Sequence, residues 1–271
     1  MISAENAIRT FRRDLAITSV LKGLLLGGLV VLGLMTSALA SSWMVLVLGL
    51  GMTVGWIVLS HRSARGSYLA ADSPLLIASG QYEEAEQQLE ELIKTFWLFR
   101  SVKLMGLHHL AVLRHAQRKW RESAMLSQAL LGQRLKGMQG IARSTQLMLA
   151  DSLLELGDLP GVYAVLSDLY SQKLSLMEAM NLLMVQLDYE TRIGAWPAMF
   201  QNIAQKTQLA ELMPVNSAAR TQAMLALAAK RVGRPDWTDW LCRRAELLID
   251  INELTVQRPI LNELLLKTDQ S

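Results

Sequence analysis

The sequence predicts an all-α chain: an N-terminal transmembrane helical hairpin, then an α-solenoid of about five helix–turn–helix units, then a C-terminal capping helix. Three observations carry this. Residues 23–60, GLLLGGLVVLGLMTSALASSWMVLVLGLGMTVGWIVLS, hold no ionisable side chain. From residue 66 onward apolar residues recur at spacings of three and four, the helical period, with little strand alternation. Through that same region a short break motif returns every 37 to 39 residues.

The uncharged run comes first. At about 1.5 Å per residue it would make a helix about 57 Å long, whereas a hydrocarbon core is about 30 Å thick and needs about 20 residues. One crossing cannot use the run. Two use all of it, at residues 17–38 and 42–60, with TSALASS at 36–42 as the turn and Trp43 at the interface. Lys22 falls inside the first span, where its amine can snorkel to the headgroups. Arg9, Arg12, Arg13 and Lys22 precede or open the hairpin, Arg62 and Arg65 follow it, and the turn has no base. The positive-inside rule then puts both termini in the cytoplasm, so residues 1–65 read as an integral anchor with two spans in a bacterial inner membrane. Gly23 with Gly27, and Gly51 with Gly55, are the candidate transmembrane packing residues, leg against leg or against a second copy in a homo-oligomer. The tripeptide ALA at 38–40 also fits a signal-peptidase site, which would leave one anchor starting at Ser41. The long leader before it and the second span directly after it argue against cleavage.

The repeat follows in residues 66–271. ASGQYEEAEQQLEEL, AQRKWRESAMLSQAL, ELGDLPGVYAVLSDL, RIGAWPAMFQNIAQK and RVGRPDWTDWLCRRA align with the break at Gly80, Arg118, Gly157, Gly194 and Gly233. Two residues later stands Tyr82, Trp120, Leu159, Trp196 or Pro235. Glycine suits the break because a chain leaving one helix for an antiparallel neighbour passes through a left-handed conformation that glycine adopts cheaply; Arg118 is the exception. This unit resembles the tetratricopeptide repeat (TPR) family, which has the turn glycine, the aromatic two on and a small residue three beyond it. That last position is Ala85 and Ser123 here, then Val162, Met199 and Thr238. The resemblance covers residues 66–255 and implies a TPR-like cytoplasmic repeat domain whose unit is a few residues longer than the usual ~34. At its start Asp72, Ser73 and Pro74 read as a helix beginning. At its end QRPILNELLLKTDQS reads as a capping helix from Pro259 to about Lys267. LKGMQGIARS, 135–144, reads as an internal joint.

Chemistry is sparse. The net charge of +3 is too small to imply nucleic-acid binding, and the lone Cys242 excludes an intramolecular disulfide or a CxxC pair. No P-loop, GxSxG, HExxH or dinucleotide loop appears, so no catalytic residue, metal ligand or cofactor is expected. His108 and His115 lie seven apart on one helix, about 10 Å by rise, too far for one ion without a third element. His109 with His115 is also misplaced.

Charge is unevenly placed. From Arg100 to Arg143 there are nine bases and one acid, Glu122, just after the acidic YEEAEQQLEE, so the two blocks attract. Lys103, Arg114, Arg118, Lys119 and Arg121 are candidate contacts to an anionic leaflet. Carrying the TPR register onto the chain places His108, Val112, His115, Asp151, Glu155, Asn181, Asp188, Arg192, Arg220, Lys230 and Arg231 in a candidate partner-binding groove. The methionines read mainly as core.

A repeat without a catalytic set points to a non-enzymatic, membrane-anchored adaptor that binds a protein or peptide partner. Two alternatives stay open. One bacterial inner-membrane family associated with haem biosynthesis also pairs two N-terminal spans with TPR units, a likeness of layout only. The other is an oligomeric membrane scaffold built through the glycine faces.

Overall fold

The computed structural model describes residues 2–38, 43–95, 100–133, 135 and 137–265. Among the described residues the secondary structure is helical throughout. Helix α1, Ala4–Ala38, and helix α2, Trp43–Ala78, contain the two halves of the uncharged run. Among the described residues no helix is long and apolar enough to cross a membrane. Residues 39–42, which hold most of the expected turn, and the side chains of residues 32–46 lie outside the description.

Helix α2 continues through Asp72, Ser73 and Pro74, correcting the expected helix start there. Proline at 74 lacks the N–H that would donate to the Ala70 carbonyl. The Ser73 hydroxyl donates to that carbonyl instead, at 3.2 Å, so the helix passes the proline without an orphaned acceptor.

Ten helices follow: α3 Tyr82–Lys94, α4 Arg100–Ala116, α5 Trp120–Leu131, α6 Gln139–Glu155, α7 Leu159–Tyr170, α8 Leu176–Arg192, α9 Trp196–Phe200, α10 Ile203–Glu211, α11 Val215–Arg231 and α12 Pro235–Leu248. The five sequence breaks are the five turns between successive helices of a pair. Gly80, Arg118, Gly157, Gly194 and Gly233 all have left-handed φ, between 58° and 78°. They close alike. The break N–H donates three residues back and the next N–H five back, as from Gly157 to Leu154 at 3.0 Å and Asp158 to Leu153 at 2.9 Å. Arg118 does the same to His115 at 2.9 Å, with Lys119 to Arg114 at 2.8 Å. This is the Schellman closure, which satisfies the last carbonyls of the outgoing helix. Tyr82, Trp120, Leu159, Trp196 and Pro235 each open the next helix. Three residues further on, Ala85, Ser123, Val162 and Met199 are completely buried, so that position is core despite its varied size, while Thr238 is half-buried.

The fourth pair departs from the others. Its trailing helix breaks after Phe200, where Asn202 takes a left-handed φ of 54°. Lys206 of α10 reaches back to donate to the carbonyls of Ala198 and Met199, both at 2.9 Å, closing the end of α9. Helix α13, Ile251–Gln257, then leads to a 3-10 turn, Pro259–Leu261, and a four-residue α14, Asn262–Leu265. The single helix expected from residue 259 is therefore split; 266–271 lie outside the description.

The chain divides into two compact units, Met1–Ser152 and Leu153–Ser271. The sequence boundary at 65/66 falls inside the unbroken α2. Ala7 and Phe11 of α1 and Ala70 and Ile77 of α2 share one core with Leu89 and Leu92 of α3, Leu107, Leu110 and Leu113 of α4, and Leu126 and Leu130 of α5. Gly106 permits the α3–α4 approach, since a Cβ there would meet Leu92 Cδ2 at 2.2 Å. The second core centres on α11, where nine successive residues, 221–229, are buried. A helix buried all round is packed on every side. Met180, Leu183 and Leu187 of α8, Met199, Leu241, Leu254 and Leu261 belong to that core.

The left-handed breaks generate a stability prediction. Arg118→Gly removes a left-handed non-glycine and is expected to stabilise the chain by about 1 kcal/mol. Gly157→Ala is expected to cost about 1–2 kcal/mol through backbone conformation, because a Cβ there meets open space. Urea unfolding of the full chain in detergent checks both; midpoints that do not move in opposite directions contradict this account.

Candidate functional site

The candidate residues divide between the two units. In the first, α4 presents its histidines to neighbouring helices. His108 is buried with Nδ1 at 3.0 Å from the Thr145 hydroxyl. That hydroxyl donates its proton to the Ile141 carbonyl at 2.7 Å, so it accepts from His108 and fixes the tautomer protonated at Nδ1. Burial, reinforced by the neighbouring His109, pushes His108 down to about 4. His109 is lowered too, by burial; its Nδ1 lies 2.9 Å from the Ser73 hydroxyl beside Pro74. His115 Nε2 meets Asp151 Oδ2 at 2.8 Å and stands edge-on to Trp120, 5.1 Å between centroids. Val112, between the two candidate histidines, is half-buried. Among the described residues no three His, Cys, Asp or Glu side chains converge as metal ligands.

The basic block needs correction. Lys103 and Arg114, expected at a membrane surface, are 3% and 1% exposed and lie inside the first unit. Lys103 pairs with Asp14 of α1 at 2.7 Å and donates to the Ile93 carbonyl at 2.6 Å. Burial outweighs Asp14 and lowers the Lys103 ammonium below its ordinary range. Arg114 grips Glu86 of α3 through two nitrogens, at 2.9 and 3.2 Å. It also donates to the Ile2 carbonyl at 2.9 Å, and its Nε lies 2.9 Å from Glu122. The Arg114 hydrogen bond holds the Glu86 carboxyl below the usual carboxylate range. The acidic and basic blocks thus meet at this pair, in the core rather than on solvated faces. Arg118 and Arg121 are exposed and Lys119 is half-buried, all at the α4–α5 turn.

In the second unit the expected groove residues converge. Arg192, in the last turn of α8, donates to the Leu154 carbonyl and to Glu155 Oε1, the latter at 2.6 Å. Asp188 is buried and accepts from Arg220 of α11 and from Arg258, at 2.9 Å from the latter. Arg258 also lies 3.7 Å from Glu155, joining the two acids. Lys230 donates to the Glu263 carbonyl and Arg231 to the Glu263 carboxylate, both at 2.6 Å. Arg231 also sits 5.5 Å over the Trp196 ring. Cations in the last turn of α8 and α11 are favoured by the helix dipole. Glu155, Asp188, Arg192 and Arg220 thus form one network and Lys230 with Arg231 a second around Glu263. Asn181, half-buried and two turns earlier on α8, belongs to neither.

Arg258 and Glu263 escaped sequence reasoning because they lie outside the repeat register. One signal was present: Arg258 is the only base between Arg244 and Lys267. The four membrane-packing glycines also take definite places. A Cβ on Gly23, Gly27, Gly51 or Gly55 meets nothing within 4 Å among the described residues.

Comparison of the chain with known protein families, curated proteins and solved structures returns no match.

The buried polar groups set two expectations. His108 refuses a proton that the unfolded chain accepts below its ordinary 6.5, so stability is full above pH 6.5 and falls as pH drops toward 4, by about 3 kcal/mol. His108→Asn, which keeps a donor toward Thr145, should flatten the urea midpoint between pH 6.5 and 4.5; an unchanged slope assigns the effect elsewhere. Arg114→Met strands the Glu86 carboxylate and is expected to cost about 3–5 kcal/mol. Adding Glu86→Gln should recover much of that loss in the same assay.

Proposed function

We propose that this chain is a membrane-anchored, non-enzymatic adaptor: residues 17–38 and 42–60 span a bacterial inner membrane, and a TPR-like helix-pair array on the cytoplasmic side binds a protein partner. The observation that carries it is the solvent face of α1 and α2. Val20, Leu24, Leu26, Val30 and Val31 on the first, and Val47, Leu50, Val54, Ile57 and Val58 on the second, are each more than half exposed. Ten large aliphatic side chains left uncovered, within or beside a run of 38 residues without an ionisable group, call for an apolar medium around them. The flanking arginines supply the orientation.

The same helices enter the first core at Phe11 and Ala70, so the anchor and the first helix pairs are one piece with no linker between. The repeat supports binding, since stacked helix pairs offer long surfaces to peptides. The open glycine faces favour a second reading, an oligomer formed through the spans. Nothing at the histidines favours a haem-associated role, because His108 is buried against Thr145 and His115 is paired with Asp151.

Two measurements test the anchor. The full chain should stay in the membrane pellet after alkaline carbonate extraction. A cysteine at Ser41 should react with an impermeant maleimide in cells whose inner membrane is intact, and one at Ser271 only after that membrane is opened. Release into the supernatant, or labelling in the reverse order, sinks the proposal. Both variants also carry Cys242→Ser, so that only the introduced thiol reports.

A further inference from the structure

The face of the second unit that carries the groove residues is not empty. Residues 258–264 lie on it, and they are matched to it at both ends. Arg258 sits between the carboxylates of Asp188 and Glu155, at 2.9 and 3.7 Å. Five residues on, Glu263 is held by Lys230 and Arg231, both at 2.6 Å. Between those charged corners Leu261 is fully buried, with Ile260 and Leu264 packed against the same core as α8 and α11. The continuous burial of 221–229 includes this cover, because the 3-10 turn Pro259–Leu261 and α14 both pack against α11.

This segment differs from the rest of the core in how it is held. It lies outside the 37–39-residue period and has none of the left-handed closures that fix the helix pairs. A 3-10 turn and a four-residue helix are too short to sustain themselves. Its charged ties are partly solvated on every side but one: Arg258, Glu155, Arg231 and Glu263 side chains are 26–46% exposed, while Asp188, which accepts from Arg258, is 5% exposed. The solvated pairs, Arg258 with Glu155 and Arg231 with Glu263, hold weakly and are screened by salt.

We infer that residues 258–264 are an internal, displaceable occupant of this face, and that the partner it binds is a peptide of the same chemistry: a basic residue, two aliphatic residues, then an acidic residue. The basic residue enters the Asp188–Glu155 corner, the aliphatic pair replaces Ile260 and Leu261, and the acidic residue meets Arg231 with its carboxylate and Lys230 with its backbone carbonyl. The inference rests on the adaptor reading and supplies the partner's class. The groove charges read from sequence as open are, in the free protein, closed by the chain's own tail. A partner therefore binds with an affinity reduced by the fraction of molecules in which the tail is docked.

The test uses the purified full chain in detergent and a fluorescein-labelled peptide, LTVQRPILNELLLK, copying residues 254–267. Its anisotropy is titrated with the native chain and with the Arg258→Glu chain, whose tail is repelled from the acidic corner. The peptide should bind the variant at least about tenfold more tightly than the native chain. Raising salt to about 0.5 M should weaken that binding, and a peptide carrying glutamate in place of its arginine should bind neither chain. Equal binding to both chains, tight or weak, overturns the inference. Hydrogen exchange on the native chain guards against a misfolded variant. Amides of 260–264 should exchange at least about a hundredfold faster than those of 221–229, and equal protection would make the tail fixed core and end the proposal. Neither assay needs a bilayer or a cellular partner, so failure here leaves the extraction and labelling results standing, and failure there leaves these.

Discussion

The left-handed turn that closes each helix pair is the constraint on which the remaining structure depends. At five positions, 37 to 39 residues apart, one backbone conformation ends a helix, satisfies its last carbonyls and starts the next helix two residues on. Because it recurs at a fixed interval, the last turns of α4, α6, α8 and α11 all run directly into such a closure. Those turns carry Arg114, Glu155, Arg192, Lys230 and Arg231. Closure therefore puts these charges at helix ends, and the local choice of glycine or arginine decides only how much the conformation costs.

Within the first unit, buried charge does what a hydrophobic stripe alone does not: it fixes which element meets which. Apolar side chains on α1 would pack against many helical surfaces, but Asp14, paired along its own helix with Arg13 at 3.2 Å, reaches across to α4 at Lys103. Arg114 likewise binds Glu86, Glu122 and the Ile2 carbonyl together, pinning the start of α1 between α3 and α5. Burying such groups costs solvation that their mutual attraction only partly offsets. Their contribution is a unique register. The consequence for function is mechanical, since whatever holds the apolar stretches of α1 and α2 also holds the first helix pairs.

In the second unit the same kind of pairing is used more loosely. Asp188 is buried, while Glu155, Arg192, Arg231 and Glu263 remain partly in water. The first unit's clamps are suited to permanence and the second unit's to exchange, because solvated ion pairs form and break with little net change in free energy. A face lined by such pairs, with an aliphatic seat between them, suits a segment that is meant to leave.

The sequence alone determined the all-α class, the positions of the five left-handed inter-helix turns and the uncharged run. Each is local: helical periodicity, a left-handed residue and the absence of ionisable groups are legible within a few turns of chain. It also located Ala85, Ser123, Val162 and Met199 as packing positions, through their fixed offset from the break. The tertiary structure alone decided the fate of the charges. Nothing in the spacing of Lys103 or Arg114 distinguishes a membrane-facing base from one enclosed by Asp14 or Glu86, because those partners are 89 and 28 residues away. Nor does the repeat period reveal that Arg258 and Glu263 occupy the expected groove, since they lie beyond the last unit and reach it only when the chain folds back. Pairing of distant charges depends on which surfaces the fold brings together, and a one-dimensional pattern does not carry that information.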